Sequence, residues 1–128
     1  MEPDLQKAEE YFESGMILLD SGKLDAAAEE FRSALEFNPE HYGSILQRGL
    51  VLARLEQFDE AVTVLQMALK KRWDQKEGYL HLGAALLQLE RNQEAEEMLR
   101  QGVGALPECA ELHFDLGFLY LGQKRAAE

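Results

Sequence analysis

The sequence has little on which covalent, redox or metal chemistry could be built. It holds one cysteine, Cys109. A single thiol cannot close an internal disulfide, so nothing requires an oxidising compartment. Cys109 sits in a loop without a basic neighbourhood, which favours an inert thiol over a reactive one. The histidines, His41, His81 and His113, are scattered and form no HExxH-type pair. Gly102-Val103-Gly104 lacks the third glycine and the preceding strand of a dinucleotide loop. No catalytic site, cofactor or metal is expected.

Cations are scarce as well. Thirteen Lys and Arg stand against 24 Asp and Glu, for a net charge of −11. Nucleic-acid binding draws on Lys and Arg to neutralise phosphates, so this balance argues against it, and against anionic membrane surfaces. No run of 18 apolar residues exists to span a bilayer. Met1-Glu2-Pro3-Asp4 has neither the basic nor the apolar region of a signal peptide. A cytoplasmic protein without membrane insertion is the expectation. Hydrophobic residues at 46% and charged residues at 29% make an ordinary globular composition.

What the chain does have is a period. Gly15, Gly49, Gly83 and Gly117 lie 34 residues apart, and Ala27, Ala61 and Ala95 follow the first three by 12. Self-similarity at such a period marks a repeat architecture. Each unit reads as two helices. Tyr11, Gly15 and Leu18 share one face of a 3.6-residue period, Ser21-Gly22-Lys23 breaks it, and Leu24, Ala27, Ala28, Phe31, Ala34 and Leu35 resume it. Asn38-Pro39 closes the unit, because proline cannot continue a helix. Glycine inside a helix costs about 1 kcal/mol against alanine. Four at one phase need a packing reason, and close approach of two backbones supplies it. Helices are expected near 4–20, 24–37, 41–54, 58–71, 75–88, 92–105 and 109–121. With no linker between units, residues 1–128 form a single domain of units 8–41, 42–75 and 76–109 plus a partial unit 110–128.

Tyr11, Ser14-Gly15, Leu18, Ala27, Phe31, Ala34 and Pro39 together resemble the tetratricopeptide repeat (TPR) pattern. The second unit carries it as Ile45, Arg48-Gly49, Leu52, Ala61, Leu65 and Ala68, with Trp73 where proline is expected. The third shows Tyr79, Leu82-Gly83, Leu86, Ala95, Leu99, Gly102 and Pro107; the fourth has His113, Leu116-Gly117 and Tyr120. The resemblance implies an all-α, right-handed α-solenoid of antiparallel helix pairs that serves as a protein-binding scaffold. Fold alone does not name the partner.

In the family, three positions on the first helix of each unit, spaced i, i+4, i+7, face a concave groove. Here they are Phe12, Met16 and Leu19; Leu46, Leu50 and Ala53; Leu80, Ala84 and Leu87; Phe114, Phe118 and Leu121. All are apolar, and an exposed stripe of that size marks an interaction site. Either an external ligand occupies it or a short superhelix covers its own groove. Gln47 and His81 lie beside the stripe. Glu9, Glu77 and Glu111 recur at one phase with Glu13 and Asp115 nearby, serving either solubility or a rim that selects basic ligands. The family's carboxylate clamp, carried to this chain, falls on Phe12, Met16, Gln47, Glu77 and His81, which lack its lysines and arginine.

These readings imply a protein–protein interaction module, chaperone- or scaffold-like, for a protein or peptide with an apolar, basic segment. The alternative is an assembly unit that self-associates through the apolar helix at 109–121, giving a homo-oligomer; a regulatory domain of a larger enzyme is a third option. Residues 123–128 read as the turn and start of a further helix. Lys70-Lys71-Arg72-Trp73 is either a separate binding patch or a structural device, with cations at the negative helix end and Trp73 filling the missing proline's place.

Overall fold

Asp4 starts the first helix: its carboxylate accepts the backbone N–H of Lys7 at 3.0 Å, satisfying a donor that a helix start leaves without a partner. The computed structural model describes residues 2–127, and Met1 and Glu128 lie outside the described residues. Among these residues are α1 (Leu5–Asp20), α2 (Leu24–Phe37), α3 (Tyr42–Arg54), α4 (Phe58–Lys71), α5 (Lys76–Gln88), α6 (Asn92–Ala105) and α7 (Ala110–Ala127), with no strand. The first six match the spans expected from the sequence to within one residue. Neighbours in sequence pack on one another throughout, with α3 also touching α5 and α5 touching α7. The result is an all-α solenoid of helix pairs.

The turn inside each pair repeats one device. Gly22, Glu56 and Glu90 occupy the same phase and have positive φ, at 77°, 62° and 59°. The next residue's N–H then reaches back to a carbonyl of the ending helix: Lys23 to Leu18, Gln57 to Leu52 and Arg91 to Leu86, each at 2.9 Å. This closes the last turn and satisfies a carbonyl the helix end would leave open. The fourth position in the series is Lys124, and there the helix continues. The expectation of a helix ending at 121, with a turn at 123, is therefore corrected: α7 runs to Ala127. Gln123, Lys124, Arg125, Ala126 and Ala127 are all good helix formers, and no helix among the described residues docks back to require a turn.

Small residues set the distance between partners. A Cβ on Gly15 would lie 2.6 Å from Phe31 Cε1, and one on Gly49 would lie 2.7 Å from Leu65 Cδ2. Ala27, Ala61 and Ala95, on the second helix of each pair, are fully buried. Where α5 brings in Tyr79, the residue opposite is Gly102, whose added Cβ would sit 2.9 Å from the ring. The central core lies between the second and third pairs, around Ile45, Leu52, Leu65, Leu82 and Leu86.

Two polar details differ from what the sequence led one to expect. His41 begins α3, where its Nδ1 accepts the N–H of Ser44 at 3.1 Å and its Nε2–H donates to Glu9 at 2.8 Å. Glu9, expected on an acidic rim, thereby ties α1 to α3. Trp73 does not fill the place of the missing proline. Its side chain is 63% exposed, and only its backbone carbonyl is used, accepting the Tyr79 hydroxyl at 2.7 Å.

Candidate binding groove

The first helices of the pairs, α1, α3, α5 and α7, line one face of the stack. Helical spacing brings the twelve apolar positions of the sequence to that face, but to different depths. On α1, Phe12, Met16 and Leu19 are half-buried and pack with Phe31 and Val51. Phe12 lies 5.9 Å from the Phe31 ring and 4.9 Å from the His41 ring, centroid to centroid. On α3, Leu50 and Ala53 rest against the central core, and Leu46 belongs to it at 8% exposure. Here the stripe is largely intramolecular packing, so it does not form one continuous open groove along the stack.

The face opens toward α7. A cleft of about 300 Å³ is bounded by Leu19, Gln47, Leu50, Ala53 and His81. A second, of about 470 Å³, lies between α5 and α7 over Leu80, His81, Ala84 and Phe114. The widest, about 610 Å³, is framed by Ala84, Leu87, Phe114 and Phe118, with Leu99 and Leu119 behind. Phe114 and Phe118 are 70% and 69% exposed. Their rings stack 6.2 Å apart on successive turns of α7. The area of two aromatic faces left in water gives a partner much to bury.

Charge around this opening is uneven. Glu111 is held by Lys76 in an ion pair, whereas Glu13 is exposed and Glu77 half-buried. Asp115, on α7 between the phenylalanines, is half-buried. Burial, and then the neighbouring Glu111 carboxylate, push its pKa above the usual value, while His81 pulls it down. Burial lowers the His81 pKa despite the upward pull of Glu77, Asp115 and Glu111. A cation brought to this spot would relieve Asp115, since an opposite charge favours the ionised form. Asn92 and Gln123 also border the widest cleft. Neither was legible in the sequence, because one comes from the start of a second-row helix and the other from the unforeseen length of α7. Among the described residues, no group of three or more His, Cys, Asp or Glu gathers to hold a metal ion, and no helix is long and apolar enough to cross a membrane.

Residues 12–77 and 80–128 match the family profile described as tetratricopeptide repeat. The chain belongs to the tetratricopeptide repeat family. Members of this family are in general protein–protein interaction modules, and the TPR fold is in general non-enzymatic. No curated protein matches the sequence. Among solved structures, the first TPR domain of Spaghetti (RPAP3), bound to the HSP90 peptide SRMEEVD, is 22% identical with a TM-score of 0.84, covering 94% of this chain and 98% of that one. The first TPR domain of human RPAP3 is 20% identical with a TM-score of 0.83, covering 98% and 100%. MamA from Desulfovibrio magneticus RS-1 is 27% identical with a TM-score of 0.81, covering 93% of this chain and 67% of that one. Likeness at this level is a likeness of fold.

Proposed function

We propose that this TPR chain acts as one domain that captures an apolar or amphipathic protein segment on the open part of its concave face, between α5 and α7. The observation that carries this reading is the stacked, exposed pair Phe114 and Phe118 beside the cleft of Ala84 and Leu87. A helix laid in such a groove places apolar anchors at i, i+3, i+4 and i+7. Asp115, Glu77 and Glu111 favour a segment with basic flanks. The partner type therefore differs from the acidic HSP90 peptide held by Spaghetti; the positions that would carry a carboxylate clamp are Phe12, Met16, Gln47, Glu77 and His81. A cytoplasmic, chaperone- or scaffold-like role belongs to this reading, and it involves neither nucleic acid nor membrane insertion. The lone Cys109 needs no oxidising environment.

A synthetic amphipathic leucine–lysine helix is a direct probe. The wild type should bind it, and Phe114→Glu with Phe118→Glu should weaken binding by about tenfold or more, the scale of losing a hot spot. The substitutions add negative charge, so nonspecific attraction of a basic peptide would change in the opposite direction. Undiminished binding by a double variant of normal helicity would overturn the reading.

A second reading is favoured by the other exposed apolar residues of α7, Tyr120 at 42% and Leu121 at 46%. In it, α7 pairs with α7 of a second copy about a two-fold axis. Light scattering at micromolar concentration distinguishes the two, with a dimer dissociated by Leu121→Lys supporting self-assembly.

A further inference from the structure

On the opposite side of the stack, α4 and α6 border a groove of about 680 Å³ whose floor is Leu69, Tyr79 and Leu82. Met67 and Met98 form its walls and Trp73 stands at one end. None of these residues belongs to the concave face. Trp73 and Met67 are 63% and 47% exposed, so they do not act as core filler here.

The repeat supplies an internal reference, because each of these positions has a counterpart 34 residues earlier. Met67 and Trp73 correspond to Ser33 and Pro39, and Leu82 corresponds to Arg48. Thr63 corresponds to Glu29 and Lys70 to Glu36. In the earlier unit these counterparts are engaged with charged neighbours, Arg48 with Glu60 at 3.8 Å and Glu29 with Arg32 along α2 at 3.6 Å. In the later one large apolar groups replace small or charged ones, two acids are gone, and a lysine takes the place of one of them. No Asp or Glu borders this groove, in a chain with 24 acidic residues. Lys71 is engaged by Glu40 and Arg72 by Asp74. Lys70 makes no ion pair among the described residues and borders the groove.

We propose that this convex groove is a second docking site, for an acidic segment that inserts one or two large apolar side chains between Met67, Trp73 and Met98. Tryptophan and methionine at the rim are adaptable anchors of the kind that dominate binding energy, and the groove's volume lies within the usual range for a ligand site. Lys70, with no acid bordering the groove, selects an acidic partner locally. Screening over about 8 Å at physiological ionic strength removes most of the repulsion from the distant acidic faces.

Trp73 is the chain's one tryptophan, so its fluorescence reports on the groove directly. The probes are three capped peptides: Asp-Glu-Leu-Phe-Glu-Asp, the same peptide with every acid replaced by lysine, and the same peptide with Leu-Phe replaced by Ser-Ser. The first should shift the emission to the blue with saturation, and the other two should bind about tenfold more weakly or worse. Lys70→Glu and Met67→Lys should each lose about tenfold while circular dichroism stays unchanged, since both side chains are exposed. Phe114→Glu with Phe118→Glu should leave the shift intact, which separates this site from the concave one. No shift at millimolar peptide, equal shifts from all three peptides, or loss on the Phe114 and Phe118 substitutions would each overturn the proposal.

Discussion

A methyl group placed on Gly15 or Gly49 would come within 2.6 or 2.7 Å of Phe31 or Leu65, but on Gly117, at the same phase, it would meet nothing within 4 Å. Gly83 falls between, with Leu99 at 3.1 Å. The first two helix pairs therefore need the period that the sequence displays, while α7 carries the same letter without a partner across it among the described residues. The exposure of the apolar stripe rises from α3 to α7, from Leu46 at 8% to Phe114 at 70%. On α3, packed between two helix pairs, the stripe is drawn into the core; on α5 Leu87 is 36% exposed although α6 packs on that helix, and on α7 the stripe is open. Burial and exposure of the stripe are thus separated along one repeat array, from the middle of the stack to α7, in keeping with a solenoid whose units contact only their neighbours.

The sharpest way to break this comparison is to put the same charge on the buried and on the exposed part of the stripe. Leu46→Glu buries a carboxylate in the central core and should cost roughly 3 kcal/mol or more. Phe118→Glu adds a solvated carboxylate and should stay within about 0.5 kcal/mol of wild type. Urea denaturation of both variants measures the difference. Equal losses would mean that α7 is packed as tightly as α3, and the gradient would not exist.

The glycines come next in size. Gly49→Ala drives a methyl to within 2.7 Å of Leu65, a fully buried side chain that must shift to admit it, and overpacking of this kind costs about 1–3 kcal/mol. Gly117→Ala has open space and should gain up to about 1 kcal/mol of helix propensity. Opposite shifts in thermal midpoint are expected. Destabilisation by both would show that Gly117 faces a neighbour after all.

These contrasts mark what was legible in the sequence. The period, the pairing of helices and the small residues at their crossings could be read from Gly15, Gly49 and Ala27, because close backbone approach leaves few other choices. Depth could not. The spacing of Phe12, Leu46 and Leu80 says that they share a face, but whether that face is covered depends on how far each pair rotates and how large its neighbours are. Trp73 was misplaced for a related reason. A proline position says where a helix must stop, and nothing about where a larger side chain put there will point. His41 shows the limit at shortest range, since its cap on Ser44 and its bond to Glu9 join residues that no pattern connects.

The smallest effect comes from the turn positions. Glu56 and Glu90 hold left-handed backbone at φ 62° and 59°, while Gly22 does so at 77°. An L-residue with a side chain pays roughly 1–2 kcal/mol for that conformation, and glycine escapes the steric part while losing more entropy on folding. Glu56→Gly or Glu90→Gly should therefore stabilise by about 0.5–1 kcal/mol. Lys124 has the same phase but lies in the continuing helix of α7. There the same substitution costs helix propensity, up to about 1 kcal/mol, and less if that part of the helix contributes little to the whole. Thermal unfolding of the three single variants should show two gains and one loss or no change. A gain at Lys124 equal to that at Glu56 would mean that in solution α7 turns at 124 as its predecessors do, so that the two ends of the array are built alike.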